Sequence, residues 1–416
     1  MITLTDSYKL SHFNQYPQGT QIIHSYIMPR GGQYDKVLFF GLQYYIQEYI
    51  NKAITQIDID NAEKLSIQHG TPFYKEGWEY ILKQHNGKLP LIIYAKEENK
   101  LYNNKTPLVV IENTDPKCFW LTSYVETLLL KIWYPTTIAT KCYYIKKMIE
   151  SYYDIAQEDK AGLDFAYHNF GDRGSTSVET AAIGGLAHLT QFKGTDNFNC
   201  LTFSQKYYNN EFQGFSIPAT EHSTVTSWGR ENEFNMIENF IETYKSYVLI
   251  ACVCDSYDIY KTTNFLTSGL IKEKIESNNY PTFVIRPDSG QPIEVITKIL
   301  DIMHNNNVAF TTNQAGYKLF NKYRILWGDG ITEQTIENIL LHFISQKISP
   351  KNFAFGSGGD LMQNCNRDTL KFAYKCSAAK INGQWVDVYK DPITDKGKTS
   401  LKGRIDTNEM KCYYSL

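Results

Sequence analysis

The chain has 416 residues, more than one ordinary compact core holds, so two domains are expected. Hydrophobic residues make up 42% and charged residues 21%, which is typical of a soluble globular protein. The formal net charge of −2 excludes a global basic field, so neither nucleic acid nor an anionic membrane is expected as a partner.

The first third of the chain mixes strand patterns with helix patterns. Leu91–Ala95 and Leu108–Ile111 are apolar runs that each follow a proline, and they predict strands. Trp120–Trp133 carries apolar residues at helical spacing and predicts a helix that Pro135 ends, and Lys141–Tyr153 repeats the periodicity. Two helices separated at the proline are therefore expected.

From Asp164 onward, apolar runs alternate with polar loops and amphipathic segments. Runs that predict strands ending in polar loops lie at 165–170, 248–253, 282–285, 323–327 and 352–355. Helices are predicted at Gln291–Met303, at Thr332–Ile344 and after a capping box at Thr176 and Glu179. Such alternation implies parallel strands, whose carboxyl ends carry the active site in α/β folds. We therefore predict a barrel-like domain in which these loops surround one mouth. The alternative is that the glycine and aspartate residues merely end strands, which explains one or two of the five loops.

The tail after Lys375 returns to strand and turn patterns. Val386–Tyr389 predicts a strand, and Lys396–Arg404 is basic. We predict that this tail completes the N-terminal domain. The chain then divides into a mostly β domain, residues 1–125 with 376–416, and an α/β barrel-like catalytic domain, residues 126–375.

Cysteine usage and the N-terminal segment bear on location. Met1–Leu10 has no apolar core of signal-peptide length, and no later run is long and apolar enough to span a bilayer. The eight cysteines are scattered, without paired C-x-x-C motifs. We therefore expect free thiols in a reducing, cytoplasmic compartment, with no disulfide framework and no metal site.

Glycine-rich and charged loops after the predicted strands are candidates for binding anions. In the loop Gly356–Gly359, consecutive backbone N–H groups can surround a phosphate, and Arg367 beyond it can reach the same anion; a flexible turn is the alternative. Arg286 and Asp288 offer a cation and a carboxylate in one tight loop, as a ribose phosphate requires, unless they form only a local ion pair. Gly328–Gly330 is similar, and its aspartate is equally able to cap a helix.

Three further places are weaker candidates when the residues are considered alone. His222 is flanked by Glu221 and Ser223, which can orient its ring, but a structural histidine is the commoner outcome. Asp196 alone is typical of a turn. The cluster Asp6–Lys9 is typical of an ordinary surface, unless it reaches the site of another subunit.

Ordered motifs along nearly the whole chain resemble the nicotinamide phosphoribosyltransferase family. They are 5–9 (TDSYK), 170–174 (FGDRG), 192–196 (FKGTD), 217–224 (IPATEHST), 255–260 (DSYDIY), 285–290 (IRPDSG), 328–330 (GDG), 354–359 (AFGSGG) and 389–392 (YKDP). The resemblance implies an irregular α/β barrel of the type II phosphoribosyltransferases, beside a mostly β domain built from both chain ends. It also implies a homodimer whose active sites are shared between subunits.

The implied substrates are nicotinamide and phosphoribosyl pyrophosphate (PRPP), and the implied products are nicotinamide mononucleotide (NMN) and pyrophosphate. Phe170 matches the family's aromatic residue under the pyridine ring. Tyr8 of the partner subunit, with Asp6 beside it, matches the aromatic residue on the other face. Asp196 matches the carboxylate that accepts a hydrogen bond from the carboxamide NH2.

The resemblance also assigns residues to PRPP and to catalysis. Arg286, Asp288 and His222 are the implied catalytic residues, and Arg173 matches a contact to the diphosphate. Matches to the phosphate and ribose site are Gly328, Asp329, Gly358, Gly359 and Arg367. Basic residues that match those of the partner's tail, or join them, are Lys375, Lys390, Lys398 and Arg30. Mg²⁺ bound with PRPP is the implied cofactor, and the family's phosphorylation of the matching histidine leaves ATP open as an activating co-substrate.

Some residues depart from the family pattern, and three alternative functions share parts of it. Asp172 stands where animal enzymes have tyrosine, and Ala251 and Ala373 replace serines. The nearest alternative is a nicotinate phosphoribosyltransferase, against which Asp196 argues because a carboxylate repels the nicotinate carboxylate. A catalytically idle scaffold and an unrelated barrel enzyme for sugar phosphates are the others, and the retained arginines and the ordered motifs argue against them.

Overall fold

The computed structural model describes all residues from 1 to 416. The chain forms two compact units, one made of residues 1–140 and 365–416 and the other of residues 141–364. We call them the β unit and the barrel unit, after the sheets described below. Both chain ends belong to the β unit, whereas one continuous stretch of sequence forms the barrel unit.

Strands occur in both units. In chain order they are β1 Thr20–Met28, β2 Lys36–Phe39, β3 Leu91–Ala95, β4 Lys100–Asn103, β5 Val109–Asn113, β6 Tyr167–Asn169, β7 Gly194–Thr195, β8 Leu249–Val253, β9 Thr282–Arg286, β10 Phe310–Thr312, β11 Lys318–Phe320, β12 Tyr323–Trp327, β13 Phe353–Ser357, β14 Ala373–Ile381, β15 Gln384–Asp387 and β16 Lys411–Ser415.

Helices connect most of these strands. In chain order they are α1 Leu42–Tyr45, α2 Gln56–His69, α3 Lys75–Gln84, α4 Leu121–Tyr124, α5 Glu126–Leu129, α6 Trp133–Ile155, α7 Val178–His188, α8 Asn199–Tyr208, α9 His222–Thr226, α10 Glu233–Thr243, α11 Ile259–Leu266, α12 Gly269–Glu276, α13 Pro292–Asn305, α14 Glu333–Ser345 and α15 Gly359–Gln363. None of these helices combines the length and the apolar character needed to cross a membrane.

The main sheet of the β unit draws strands from both ends of the chain. Its order is β15-β14-β1-β5-β3-β16, and all neighbouring pairs are antiparallel. Strand β3 alternates fully buried with half-buried residues, the pattern of a strand with one covered face. Both chain ends thus contribute strands to one antiparallel sheet, as predicted, and helices α1–α5 belong to the same unit.

The barrel unit contains a parallel sheet of order β7-β6-β13-β12-β9-β8. Its central strands are nearly continuous apolar runs because both faces are covered, as parallel sheets require. Amphipathic helices, such as α13 and α14, follow strands β9 and β12 and bury their apolar faces. The predicted α/β fold class with parallel strands is confirmed.

A short segment without strand assignment, Phe215–Thr220, joins the two edges of this sheet. On one side, the Thr195 N–H donates to the Phe215 carbonyl at 2.9 Å, and the Phe215 N–H donates to the Lys193 carbonyl at 2.7 Å. On the other side, the Thr220 N–H donates to the Ala251 carbonyl at 3.0 Å. The segment thus connects β7 with β8 and closes the sheet into an irregular barrel.

Two helix boundaries differ from the sequence prediction. Pro135 does not end a helix but lies in the first turn of α6, where a residue without an N–H costs no hydrogen bond. The predicted helices 120–133 and 141–153 are therefore wrong in their division: α4, α5 and a 3-10 turn precede one long helix. The predicted capping box at Thr176 is also shifted, because the Ser177 hydroxyl accepts from the Thr180 N–H at 3.0 Å.

Candidate functional site

Loops at the carboxyl ends of the barrel strands meet around one cleft. A cavity of about 450 Å³ is lined by Phe170, Asp172, Arg173, Asp196, Arg286, Asp288, Gly328 and Gly358. These residues follow or end β6, β7, β9, β12 and β13, so the parallel topology brings distant parts of the sequence together. The cleft combines one aromatic ring with both signs of charge.

Phe170 is placed by the strand beneath it. Its N–H donates to the Ser357 carbonyl at 2.9 Å, and its ring lies against Gly356, where a Cβ atom would stand only 2.0 Å from the ring Cε2. The guanidinium of Arg286 lies over the ring, 4.7 Å from the centroid. Only glycine at position 356 leaves room for the ring in this place.

Asp196 follows β7 and is bonded through one carboxylate oxygen. His168 Nε2 and Ser216 Oγ both donate to Oδ1, at 2.9 and 2.5 Å. Burial alone would raise the pKa of Asp196, but the hydrogen bonds from His168 and Ser216 and the charge of Arg286 outweigh it and lower the pKa. The carboxylate therefore stays ionised near neutral pH and acts only as a hydrogen-bond acceptor.

Arg286 and Asp288 lie on either side of Pro287 at the end of β9. Arg286 Nη2 is 3.8 Å from Asp288 Oδ1, too long for a hydrogen bond, and the buried Nε of Arg286 has no hydrogen-bond partner. The Asp288 N–H donates to Asp255 Oδ2 at 3.0 Å, which fixes the loop. The cleft therefore holds a guanidinium that is free to bind an anionic oxygen.

His222 begins α9 and pairs with Asp255, which follows β8. His222 Nε2 donates to Asp255 Oδ1 at 3.0 Å, and Ser289 Oγ donates to Oδ2 at 2.7 Å. Burial would raise the pKa of Asp255, yet these hydrogen bonds and the charge of His222 lower it. Almost half of the His222 side chain is exposed, so the ring is oriented by a carboxylate and still accessible.

The other predicted residues of the barrel unit lie on the turns around the cleft. Arg173 is exposed in the 3-10 turn that follows Phe170. Asp329 is exposed, and its carbonyl accepts a hydrogen bond from Trp327 Nε1 at 2.7 Å. Gly359 is exposed at the start of α15. Asp329, Gly359 and His222 do not line the 450 Å³ cavity, whereas Arg173 does.

A second cavity, of about 620 Å³, was not predicted from the sequence. It shares Phe170, Asp196 and Arg286 with the first cavity, and its walls are mainly apolar, including Ala251. Arg324 also lines it, and burial lowers the pKa of that guanidinium. The Asp196 carboxylate therefore lines both the polar cleft and a mainly apolar cavity.

The predicted residues near the N-terminus belong to the β unit. Tyr8 is 59% exposed, and its ring meets the His12 ring edge-on at 5.1 Å. Asp6 Oδ2 accepts a hydrogen bond from Thr127 Oγ1 at 2.7 Å. Lys9 is buried and bonded to Glu126 at 2.6 Å. The Tyr8 ring thus projects from a turn that is fixed by hydrogen bonds on its inner side.

Basic residues of the β unit form a cluster around Lys375. Burial lowers the pKa of Lys375, Glu126 opposes this effect, and the charges of Arg30 and Lys390 lower it further. Arg30 Nε donates to the Lys371 carbonyl at 3.4 Å. Positive charges are therefore concentrated here without a full set of carboxylate partners, which favours an anionic ligand.

Two predicted cations of the β unit have acidic neighbours in sequence. Lys398 is 3.4 Å from Asp395, and Arg367 is 3.4 Å from Asp368. All four side chains are largely exposed, so these pairs contribute little stability and leave both cations accessible.

One group in the β unit has metal-binding residue types. Donor atoms of His85, Asp115 and Cys118 lie within 4.8 Å of one another. His85 Nε2 and Asp115 Oδ2 already form a 2.8 Å hydrogen bond, and the Tyr80 hydroxyl donates to the same oxygen at 2.9 Å. A structural contact between the end of α3 and the turn after β5 accounts for this arrangement.

Sequence reasoning missed His168, Ser216 and Asp255 as residues of the site. His168 precedes Phe170 by two positions in the predicted strand 165–170, and residues two apart share a face of a strand, so alternation could have indicated it. Asp255 begins the motif at 255–260 (DSYDIY). Ser216 had no signal, because only the barrel closure brings it to Asp196.

Solved structures show the class of fold. The chain is similar to a nicotinate-nucleotide pyrophosphorylase from Pyrococcus furiosus, with a TM-score of 0.62 and 14% identity over 96% of this chain and 78% of that one. It is also similar to human nicotinic acid phosphoribosyltransferase, with a TM-score of 0.55 and 14% identity over 90% and 74% of the two chains. The fold is that of the type II phosphoribosyltransferases.

Sequence comparisons give the family. Residues 165–415 match the model of the nicotinate phosphoribosyltransferase (NAPRTase) family, and residues 1–93 match the nicotinamide phosphoribosyltransferase N-terminal domain. Nicotinamide phosphoribosyltransferase of Xanthomonas campestris pv. campestris is 43% identical over 96% of this chain and 86% of its own length. The enzyme of that name from Acinetobacter baylyi is 30% identical over 99% and 88%. The chain belongs to the nicotinate phosphoribosyltransferase family, and the resemblance found in its motifs is confirmed.

Proposed function

We propose that this chain transfers the phosphoribosyl group of PRPP to nicotinamide, producing NMN and pyrophosphate for NAD salvage. The two curated relatives described above carry the name of this activity. The observation that carries the proposal is the position of Asp196, an ionised acceptor in the same cleft as Phe170 and Arg286. None of the eight cysteines forms a disulfide, which favours a cytoplasmic, reducing location.

Recognition of the base uses the aromatic ring and the acid together. The pyridine ring stacks on Phe170, and such a contact contributes about 0.5–1.5 kcal/mol beyond the buried area. The carboxamide NH2 donates to Asp196, which has an oxygen without a hydrogen-bond partner. Nicotinate offers a carboxylate instead, which has no hydrogen to share and is repelled by Asp196.

The reaction is driven by stabilising the leaving diphosphate. As the bond from the ribose C1 to pyrophosphate lengthens, positive charge develops on the sugar and negative charge on the leaving oxygens. Arg286 and Arg173 line the cleft and stabilise the diphosphate electrostatically, while Asp288 binds ribose hydroxyls. Phe170 holds the pyridine nitrogen in line with C1, so this nitrogen attacks directly and no protein nucleophile is needed.

Mg²⁺ is part of this proposal as the cation that accompanies PRPP. About a third of the Asp288 side chain is exposed, and its oxygens are ligands of the kind that Mg²⁺ prefers, so the cleft fits the ion. When bound, the ion neutralises charge on the diphosphate.

ATP is included as an activating co-substrate. The exposed His222 ring donates through Nε2 to Asp255, an arrangement that makes the other ring nitrogen a better nucleophile toward a phosphoryl group.

A homodimer with shared sites completes the proposal. Tyr8 is exposed, and the cluster around Lys375 is positively charged. Both therefore suit contact with a ligand that is bound in the cleft of another copy of the chain. We place Tyr8 of the partner subunit over the second face of the nicotinamide ring, and the partner's Lys375 and Lys390 beside the diphosphate.

The test is an assay of purified protein with PRPP, Mg²⁺ and either nicotinamide or nicotinate. NMN and pyrophosphate are expected from nicotinamide, with little product from nicotinate. Asp196→Asn removes the negative charge, so the preference for nicotinamide should fall about tenfold or more. No NMN from the unaltered protein, or an unchanged preference in the variant, would contradict the proposal.

A further inference from the structure

The two hydrogen bonds to Asp196 come from different parts of the barrel. His168 lies within β6, and Ser216 lies in the closing segment Phe215–Thr220. Both donate to Oδ1, whereas Oδ2 has no hydrogen-bond partner. The Asp196 backbone is also held, because its N–H donates to the Asn169 carbonyl at 2.9 Å. The orientation of the carboxylate is therefore fixed through Oδ1, while Oδ2 is left available as an acceptor.

The His168 ring has a defined orientation. A carboxylate oxygen only accepts, so the network assigns a proton to His168 Nε2. The ring edge at Nδ1 packs on Gly194, where a Cβ atom would stand 2.7 Å away. The same imidazole contacts Phe170, with ring centroids 4.7 Å apart and planes inclined by 40°. One side chain thus contacts both residues that are proposed to recognise the base.

We propose that His168 and Ser216 are positioning residues that set the preference for the pyridine amide over the pyridine acid, by directing Asp196 Oδ2 toward the substrate. This inference rests on the proposed function of the cleft. Two donors on Oδ1 leave Oδ2 as the acceptor for the carboxamide NH2. All four participants, His168, Phe170, Asp196 and Ser216, line the same 620 Å³ cavity.

The two donors also favour the ionised form of Asp196. The charged groups that act on this carboxylate are His168 and Arg286, and the Ser216 hydroxyl adds a neutral donor. Without them, the effect of burial would dominate and raise the pKa of Asp196. A second carboxylate, that of nicotinate, would raise it further, since two close carboxylates share one proton. A protonated Asp196 would then donate to nicotinate, and the barrier against the acid would disappear.

Matched pairs of variants test this inference. Ser216→Ala removes a donor, whereas Ser216→Thr keeps a hydroxyl. His168→Phe removes the other donor and keeps a ring, whereas His168→Gln keeps an N–H. The ratio of kcat/KM for nicotinamide to kcat/KM for nicotinate is measured for each variant between about pH 6 and pH 8.

The expected result is a fall in this ratio of about tenfold for Ser216→Ala and for His168→Phe, the effect of losing one hydrogen bond to a charged group. The fall should be larger at the acid end of the range, and the KM for PRPP should stay the same. Ser216→Thr and His168→Gln should keep the ratio within about threefold of that of the unaltered protein. In an Asp196→Asn background, Ser216→Ala should change the ratio no further.

The outcomes separate this inference from the proposed function. If the unaltered protein makes no NMN, the proposed function fails. If the unaltered protein is active but Ser216→Ala lowers the activity with both bases equally, the inference fails and the function stands. If His168→Phe has a lower melting temperature, the Ser216→Ala and Ser216→Thr variants decide whether the inference holds, because they alter the side chain less.

Discussion

The barrel unit and the β unit contribute predicted site residues in different ways. In the barrel unit, Phe170, Asp196 and Arg286 line two adjoining cavities, although they are far apart in sequence. In the β unit, Tyr8 and Lys390 are exposed, and they contact His12 and Ser400 of the same unit. Parallel strand ends converge on one place because of their topology, whereas residues on turns and tails need another surface to share a ligand.

The largest effect is expected from Arg286→Ala, which tests whether the barrel cleft contributes catalytic charge. Loss of the guanidinium should lower kcat/KM for PRPP about 10²–10³-fold, which is the usual effect of removing one donor that stabilises a transition state. The measurement is pyrophosphate release under saturating nicotinamide. Arg230→Ala, an exposed arginine of the same unit stacked on Tyr257, is the control and should stay active. Near-normal activity of Arg286→Ala would contradict a catalytic cleft here.

Hybrid dimers test the contribution of the β unit. Tyr8→Ala and Asp288→Ala subunits should each be nearly inactive alone. If each site combines Tyr8 of one copy with Asp288 of the other, random mixing should restore about a quarter of the normal activity, because half the dimers carry one intact site. Activity is measured after the two purified variants are dissociated and allowed to reassociate. If mixing restores nothing, the shared site is wrong.

Gly356→Ala tests whether the position of Phe170 is preformed. The added Cβ would stand 2.0 Å from the ring, so the ring must move. The KM for nicotinamide should rise about tenfold, since a stacking contact and part of the buried area are lost, while the KM for PRPP changes less. Equal changes in both KM values would indicate a general disruption of the barrel.

Lys375→Met tests the basic cluster and gives the smallest effect. Removal of this charge should raise the KM for PRPP about threefold, whereas Lys375→Arg should not. Burial lowers the pKa of Lys375, as do Arg30 and Lys390, so this lysine loses its proton at a lower pH than an exposed one. The KM for PRPP should therefore rise with pH earlier in the unaltered protein than in Lys375→Arg.

The same lowered pKa makes a prediction for stability. Between the folded and the unfolded pKa of Lys375, the unfolded state binds more protons, so stability contributed by this residue rises with pH. Melting temperatures of the Lys375→Met variant and of the unaltered protein should then converge as the pH increases through that window. If the two melting temperatures instead differ by the same amount at every pH, the buried charge of Lys375 does not destabilise the fold.

Much of the fold follows from local sequence patterns. Leu91–Ala95 and Tyr323–Trp327 are strands with the predicted bounds, because an apolar run between turn residues is a strong local signal. Pro135 was misjudged, since the same residue both ends helices and begins them, and only its neighbours in space decide which. The closing segment Phe215–Thr220 has no local signal, because its hydrogen bonds reach two strands that are distant in sequence.

The candidate site, like the fold, has a part that local sequence patterns predict and a part that they do not. Residues in loops after predicted strands, such as Arg286 and Asp288, could be predicted to share a cleft because the parallel topology fixes which strand ends meet. His168 and Ser216 were missed, since their importance comes from a shared contact with Asp196 rather than from their own motif. Sequence patterns thus find groups that face a ligand more easily than groups that hold such residues in place.

The segment between α8 and α9 that is bonded to both β7 and β8 has a consequence for assembly. A sheet closed on itself presents no row of unpaired N–H and C=O groups, so it cannot be extended by a strand from another molecule. Copies of this chain therefore have no route to associate through continuation of the barrel. Pairing of barrel units must therefore use surfaces other than the edges of this sheet, which discourages fibrous growth through it.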